Sequence, residues 1–150
     1  MDVAYRQEMV SAAEFAELLE RSGLAARRPV GDRARLQRMI DHADLIVTAR
    51  IGAGRIGAGG MGTAGAGDNG RLVGIARSLT DWSYAAYLSD LAVDAAYQKK
   101  GIGKRLIAET RRLAGEEAML LLVAAPDAAG YYDGIGMARS DRAFLYPRAR

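Results

Sequence analysis

The chain has 150 residues and a formal net charge of +3; 50% of its residues are hydrophobic and 26% are charged, the composition of one globular domain large enough to bury its own core. It has no cysteine and a single histidine, His42, which excludes disulfides, thiolate metal sites and a cysteine nucleophile and leaves too little for a His-rich metal centre or a Ser-His-Asp triad. The slight positive charge suits an anionic ligand but, without a clustered patch, not nucleic acid; no apolar run approaches the roughly 20 residues of a membrane span, and no signal-peptide pattern opens the chain, so it reads as cytoplasmic.

Taken in order, residues Val3 to Gln7 read as a short strand. Ser11 then N-caps a helix, with Glu14 three residues on completing a capping box, and Gly23 stops it. Its apolar stripe is Phe15, Leu18 and Leu19. A turn through Arg27, Arg28 and Pro29 leads to Asp32, the N-cap of a second helix with Leu36, Met39, Ile40 and Ala43 on its inner face. His42 falls near that helix end, where a surface imidazole is favourably placed against the helix dipole. Asp44 to Ile51 and Leu72 to Leu79 are strands, separated by an insert over residues 52–70 in which nearly every second position is glycine. Asp81-Trp82-Ser83 makes a turn and Tyr84 to Val93 a further strand, which gives an antiparallel meander with a flexible loop in its first hairpin. A helix from Gly103 to about Leu113 ends at Gly115. Met119 to Ala124 is a continuous apolar run, the pattern of a strand buried on both faces and parallel to the one before the helix. Asp127 to Asp133 forms a short helix led by Pro126 and ended by Gly134 and Gly136, and Ala143 to Tyr146 is a last short strand.

Two glycine motifs compete for a phosphate. Gly52-Ala53-Gly54-Arg55-Ile56-Gly57 matches the dinucleotide-binding fingerprint, which works only where a helix starts inside it. The glycines that follow each cost a helix about 1 kcal/mol relative to alanine, so the segment reads as a hairpin insert and not a cofactor loop. Gln98-Lys99-Lys100-Gly101-Ile102-Gly103-Lys104 is the stronger candidate, because a strand precedes it and a helix follows. The first-turn amides of that helix have no intrahelical partner, the dipole adds positive charge, and glycines permit close approach of an anion. It is not a P-loop: Gln98 stands where that motif needs glycine, and Arg105 where it needs Ser or Thr.

These residues carry a resemblance. Gln98 to Gly103 satisfies the pyrophosphate signature of the GNAT superfamily of acyl-CoA N-acyltransferases, which is Gln or Arg, two free positions, Gly, one free position, then Gly or Ala. The flanks Leu91-Ala92-Val93-Asp94 and Lys104-Arg105-Leu106-Ile107 are similar to those of the family. So is Tyr131-Tyr132-Asp133-Gly134-Ile135-Gly136-Met137 to the aromatic-Tyr pattern on its last helix. The match covers Leu72 to Met137 well and the N-terminal third by element order alone.

The resemblance implies a single α/β (α+β) domain over residues 1–150: a mixed, mostly antiparallel sheet flanked by helices, with central strands splayed to form a CoA cleft. It implies acetyl-CoA as co-substrate without a metal, its pantetheine arm along Leu91, Ala92 and Val93 and its pyrophosphate on the amides of Lys99, Lys100, Gly101, Ile102, Gly103 and Lys104 after Gln98. An amine then attacks the thioester directly, a backbone N–H near Leu91 to Val93 polarising the acyl oxygen. Tyr132 occupies the family's tyrosine position and is the candidate acid for the departing thiolate. Ser89 stands where many relatives carry glutamate, which leaves Asp90, or water held by Asp90 and Ser89, as base. Strand alternation sends those two side chains to opposite faces. Arg27, Arg28, Trp82, Tyr84 and Tyr87 are candidates for the acceptor pocket, the paired arginines for a carboxylate or phosphate. The acceptor is expected to be a small-molecule amine, with no nucleic-acid or membrane partner, and relatives are often homodimers. A protein amine, or a non-catalytic acyl-CoA sensor, is the alternative.

Overall fold

The computed structural model describes residues 1–52 and 69–150. The strands are β1 (Val3–Gln7), β2 (Leu45–Ile51), β3 (Arg71–Thr80), β4 (Ala85–Val93) and β5 (Met119–Leu122); the helices are α1 (Ala12–Ser22), α2 (Arg33–Asp41), α3 (Ile102–Ala114) and α4 (Ala129–Gly134). One five-stranded sheet runs β1-β2-β3-β4-β5. Its first three pairings are antiparallel and the β4–β5 pairing is parallel, as the intervening helix requires. Ile51 pairs with Arg71 antiparallel, so β2 and β3 form a hairpin and the dinucleotide-binding reading of Gly52 to Gly57, which needs a parallel crossover, falls away. The hairpin-insert expectation itself falls mainly on residues 53–68, outside the described ones.

Local chemistry sets the helix ends. The Ser11 hydroxyl accepts from Glu14 N–H at 3.1 Å, and the Asp32 carboxylate accepts from Arg35 N–H at 2.9 Å. Gly23 and Gly115 close α1 and α3 with positive φ, where a Cβ would be strained. Glu14 does not complete its capping box. Its carboxylate is drawn instead to the buried Arg50, which also bonds Glu8.

The sheet separates two cores. On one face Phe15, Leu18, Leu19, Leu36 and Ile40 of α1 and α2 pack on Ile46, Leu72, Ile75 and Ala92. On the other, Ile102, Leu106 and Ile107 of α3 pack on Leu45, Val47, Val73, Ala86 and Leu88. Gly74 lets α3 sit close, since a Cβ there would come within 3.0 Å of Leu106.

Three expectations need correction. The strand Met119–Leu122 is not buried on both faces: Met119 is 61% exposed and Leu121 38%, while Leu120 and Leu122 pack inward. Among the described residues β5 is the sheet edge, so its run of apolar residues alternates in burial despite not alternating in type. Residues 143–146 form no strand and are exposed; β-branched or aromatic character alone does not make a strand without an edge to pair with. The last helix starts at Ala129, two residues later than read, because Ala128 N–H closes a turn on Ala125 after Pro126.

Candidate active site

β4 and β5 part company after four residue pairs. Ala85 to Leu88 pair with Met119 to Leu122, and from Ser89 to Val93 no described strand pairs with β4 on that side. Asp94 N–H donates to Val73 across the sheet at 2.9 Å, so by alternation the peptide groups of Leu91 and Val93 point to the open side. That open edge leads directly to the start of α3.

The turn between them is held from outside. Asp94 caps Ala96 N–H and is bridged by Arg21 and Arg71. Burial pushes its carboxyl up, but the Ala96 amide and the two guanidiniums outweigh this and hold it below the ordinary value. The Gln98 side chain donates to the Val93 carbonyl at 2.9 Å, which folds the loop back on the strand. Lys99 and Gly101 have φ of 61° and 82°, left-handed conformations on either side of Lys100. Gly101 caps α3 without a side-chain bond, and Arg105 N–H is the first to find a carbonyl, that of Gly101. Among the described residues the amides of Ile102, Gly103 and Lys104 thus have no partner, in a turn with Lys99, Lys100 and Lys104 around it, the arrangement that binds phosphate oxygens. Gly103 is buried beneath Tyr131, whose hydroxyl is 2.5 Å from where a Cβ would stand.

On the α1/α2 side of the sheet, a cleft of about 620 Å³ opens between the α1–α2 connection, β4, the end of β5 and α4. A β-bulge shapes its floor. Arg77 pairs with Asp90 but Ser78 pairs with Leu88, so Ser89 is an extra residue in β4. Ala86 and Leu88 point to the α3 core before the bulge; Leu91 and Val93 do so after it. The shift by one sends Asp90 to the α1/α2 face, where it is fully buried. One carboxylate oxygen accepts from Arg28 Nε and the other from Arg77 Nε. Arg77 Nη2 also donates to Ser89 Oγ at 3.0 Å, and Arg28 Nη2 to the Ser89 carbonyl at 2.9 Å. The expected opposite orientation of Ser89 and Asp90 is therefore corrected: both side chains meet the Arg77 guanidinium.

Tyr132 stands where the cleft meets a smaller cavity of about 270 Å³ behind β5. Its place on α4 is fixed by a Schellman closure, in which Met137 N–H bonds the Tyr132 carbonyl and Gly136 N–H that of Asp133, with Gly136 at φ 86°. Burial, reinforced by neighbouring Tyr131, pushes the Tyr132 hydroxyl above its ordinary pKa, and Arg28 pulls it partly back. The two rings meet edge to face at 5.2 Å.

The cleft thus gathers Arg27, Arg28, Tyr87, Ser89, Leu91 and Tyr132, with Asp90 beneath. It does not gather Trp82 and Tyr84. These lie 46% and 80% exposed in the β3–β4 turn, before β4 begins, and β4 reaches the cleft only from Tyr87 onward. Sequence reading missed Arg77, Arg35 and Arg148, which also line it. Arg77 had a signal: a guanidinium inside an otherwise apolar strand needs a partner, and the facing strand offered Asp90. Arg148 had none, because its place depends on the path of a tail without regular structure. Among the described residues no helix is long and apolar enough to cross a membrane, and no cluster of His, Cys, Asp and Glu could hold a metal ion.

Comparison with known proteins bears on this geometry. The family model described as Acetyltransferase (GNAT) family matches residues 29–137. No curated protein matches the chain. Among solved structures, a ribosomal-protein-alanine N-acetyltransferase from Brucella melitensis biovar Abortus 2308 is 23% identical with a TM-score of 0.67, the match covering 98% of this chain and 99% of that one. An aminoglycoside acetyltransferase from an uncultured soil metagenomic sample, in complex with trehalose, is 19% identical with a TM-score of 0.65, covering 99% and 97%. The aminoglycoside N-acetyltransferase AAC(6')-Iy in complex with CoA is 16% identical with a TM-score of 0.65, covering 99% and 96%.

Proposed function

The chain belongs to the GNAT acetyltransferase family, and from that premise we propose that it transfers an acetyl group from acetyl-CoA to the primary amine of a small molecule, by direct attack with both substrates bound. The observation that carries this reading is the junction of two features at one open strand edge. The unpaired amides at the start of α3 lie at one end of the splayed stretch of β4, and the tyrosine-bordered cleft lies beside it.

In this reading the amides of Lys99 to Lys104 hold the pyrophosphate of the donor, with Gln98 keeping the turn folded. Leu91 offers its outward peptide group to the pantetheine amides and Val93 its N–H, the Val93 carbonyl being taken by Gln98, as a strand would. One of those N–H groups polarises the thioester oxygen. Acetyl-CoA supplies an activated acyl group and a leaving thiolate. Tyr132 gives that thiolate its proton: its raised pKa keeps it protonated through neutral pH, and it sits at the cleft wall. Asp90 has a different role from the base expected of it. Both its oxygens are occupied by guanidinium N–H groups and it is sealed from the cleft, so it positions Arg28 and Arg77, and water takes the proton from the amine.

The volume of the cleft favours a small acceptor over a protein segment, since pockets of about 300–1,000 Å³ take molecules of drug size. The reading is tested by titrating the protein with acetyl-CoA and then following CoA thiol release over a panel of amines. Binding followed by amine-dependent release supports it. Tight binding with no release from any amine would favour the sensor alternative, and acetylation of peptide N-termini alone would favour the protein-amine one.

A further inference from the structure

The cleft has an uneven charge. Five arginines line it, Arg27, Arg28, Arg35, Arg77 and Arg148, and among the described residues no Asp or Glu does. The one acidic group beneath, Asp90, is fully buried with both oxygens committed to Arg28 and Arg77. Arg27 and Arg148 make no side-chain hydrogen bond or ion pair among the described residues, and Arg35 makes only a 3.4 Å contact with the Arg150 carbonyl. The chain as a whole carries only +3, so this concentration is local. Beside the arginines stand Pro29, Met39, Tyr87, Ser89, Val123 and Tyr132.

Resting on the transferase reading above, we infer that the acceptor is an anionic amine, a small molecule carrying a carboxylate or phosphate together with its amino group. A pocket lined by one sign of charge concentrates the opposite sign and repels its own. Planar guanidiniums with free N–H pairs match a carboxylate or phosphate bidentately. A polycation such as an aminoglycoside meets five like charges here. The same charges solve the deprotonation step. A protonated amine among guanidiniums is disfavoured, so its pKa falls toward neutrality and water suffices as proton acceptor. The anionic group of the acceptor holds it in the cleft while its ammonium loses a proton to water; the neutral nitrogen then bonds the acyl carbon, the carbon–sulfur bond breaks, the thiolate takes the Tyr132 proton, and the second proton left on the nitrogen passes through water to restore the Tyr132 hydroxyl.

The test uses the full chain with saturating acetyl-CoA and four acceptors of equal length: an ω-amino acid, an aminoalkyl phosphate, an amino alcohol and a diamine. The expected order in kcat/KM places one of the two anionic amines at least tenfold above the amino alcohol, and the diamine last, with the advantage shrinking as salt rises. In the Arg27→Gln/Arg148→Gln double variant the ratio of anionic to neutral acceptor falls at least fivefold and the acidic limb of the pH–rate profile moves up. Acetyl-CoA affinity stays within twofold. A diamine or aminoglycoside as best acceptor, or a ratio unmoved by the double variant, overturns the inference. If no amine is turned over, the transferase reading fails. The charge preference is then read by calorimetry on the CoA-bound protein: binding of the ω-amino acid or the aminoalkyl phosphate without the diamine supports it, and the reverse, or no binding of any of them, overturns it.

Discussion

In the proposed reaction Tyr132 and Asp90, both in sheltered surroundings, have opposite uses. Tyr132 lines the cleft, its hydroxyl has no hydrogen-bond partner among the described residues, and burial raises its pKa, so its proton is present across the neutral range. The sign follows directly: the donor form is the protonated one, present below the raised pKa and lost as pH rises through it. Tyr132→Phe should lower kcat by about 100-fold or more with acetyl-CoA affinity unchanged, the usual weight of a general acid, and should remove the high-pH fall in rate. Steady-state kinetics against pH check both. Asp90 is instead enclosed, with both oxygens held by Arg28 and Arg77. Asp90→Asn leaves two guanidiniums beneath the cleft with a poorer partner, and losing one member of a buried ion pair costs about 3 kcal/mol. Thermal or urea unfolding should show that loss, and the low-pH limb of the remaining activity should stay where it was. A limb that moves would return Asp90 to the role of base. Neither assignment was fully legible in the sequence. The tyrosine was found by its motif, but the burial that sets its protonation was not, and the arginines that occupy Asp90 come from positions 62 and 13 residues away along the chain.

At the level of elements, caps and turns were the most legible features, because they depend on neighbours a few residues apart. Ser11, Gly23, Asp32, Gly115 and Gly136 all stand at helix ends as their chemistry dictates. The bulge at Ser89 left no trace, since burial along β4 alternates regularly through it and only the partner strand reveals the extra residue. Two predictions belong here. Gly103→Ala places a Cβ against the Tyr131 hydroxyl beside the first turn of α3; stability should change by less than about 1 kcal/mol, the helix preference for alanine offsetting the contact. Acetyl-CoA affinity should fall at least tenfold by calorimetry. In the β3–β4 turn, one Asp81 oxygen accepts from the N–H groups of Ser83, Tyr84 and Ala85, which hold its pKa down to about 2. Such a depressed carboxyl stabilises the fold above its unfolded value and stops doing so as pH falls through about 2. Asp81→Ala should therefore lower the melting temperature at pH 7, with the difference from the wild type closing as the pH approaches that value.

For the molecule as a whole, the order of strands and helices was readable, and the two cores follow from the apolar faces of α1, α2 and α3. What was not readable is where the chain has no regular structure. The β5 edge looked like an interior strand because an apolar run cannot say whether anything lies beyond it. The segment just before Arg148, residues 143–146, looked like a strand because its side chains are aromatic and aliphatic. The acceptor side of the cleft, built partly from Arg148 and partly from buried Arg77, was the least legible part for this reason. The strand-to-helix turn proposed as the donor side, built from consecutive residues 91–104, was the most legible piece of backbone.

The central claim is that donor and acceptor meet in one cleft and that the acyl group passes between them without residing on the protein. Initial velocities of CoA release, measured while acetyl-CoA and an accepted amine are each varied at fixed levels of the other, test it most directly. The account predicts double-reciprocal lines that intersect, as a ternary complex requires. Parallel lines, or acetylated protein isolated in the absence of amine, would contradict it.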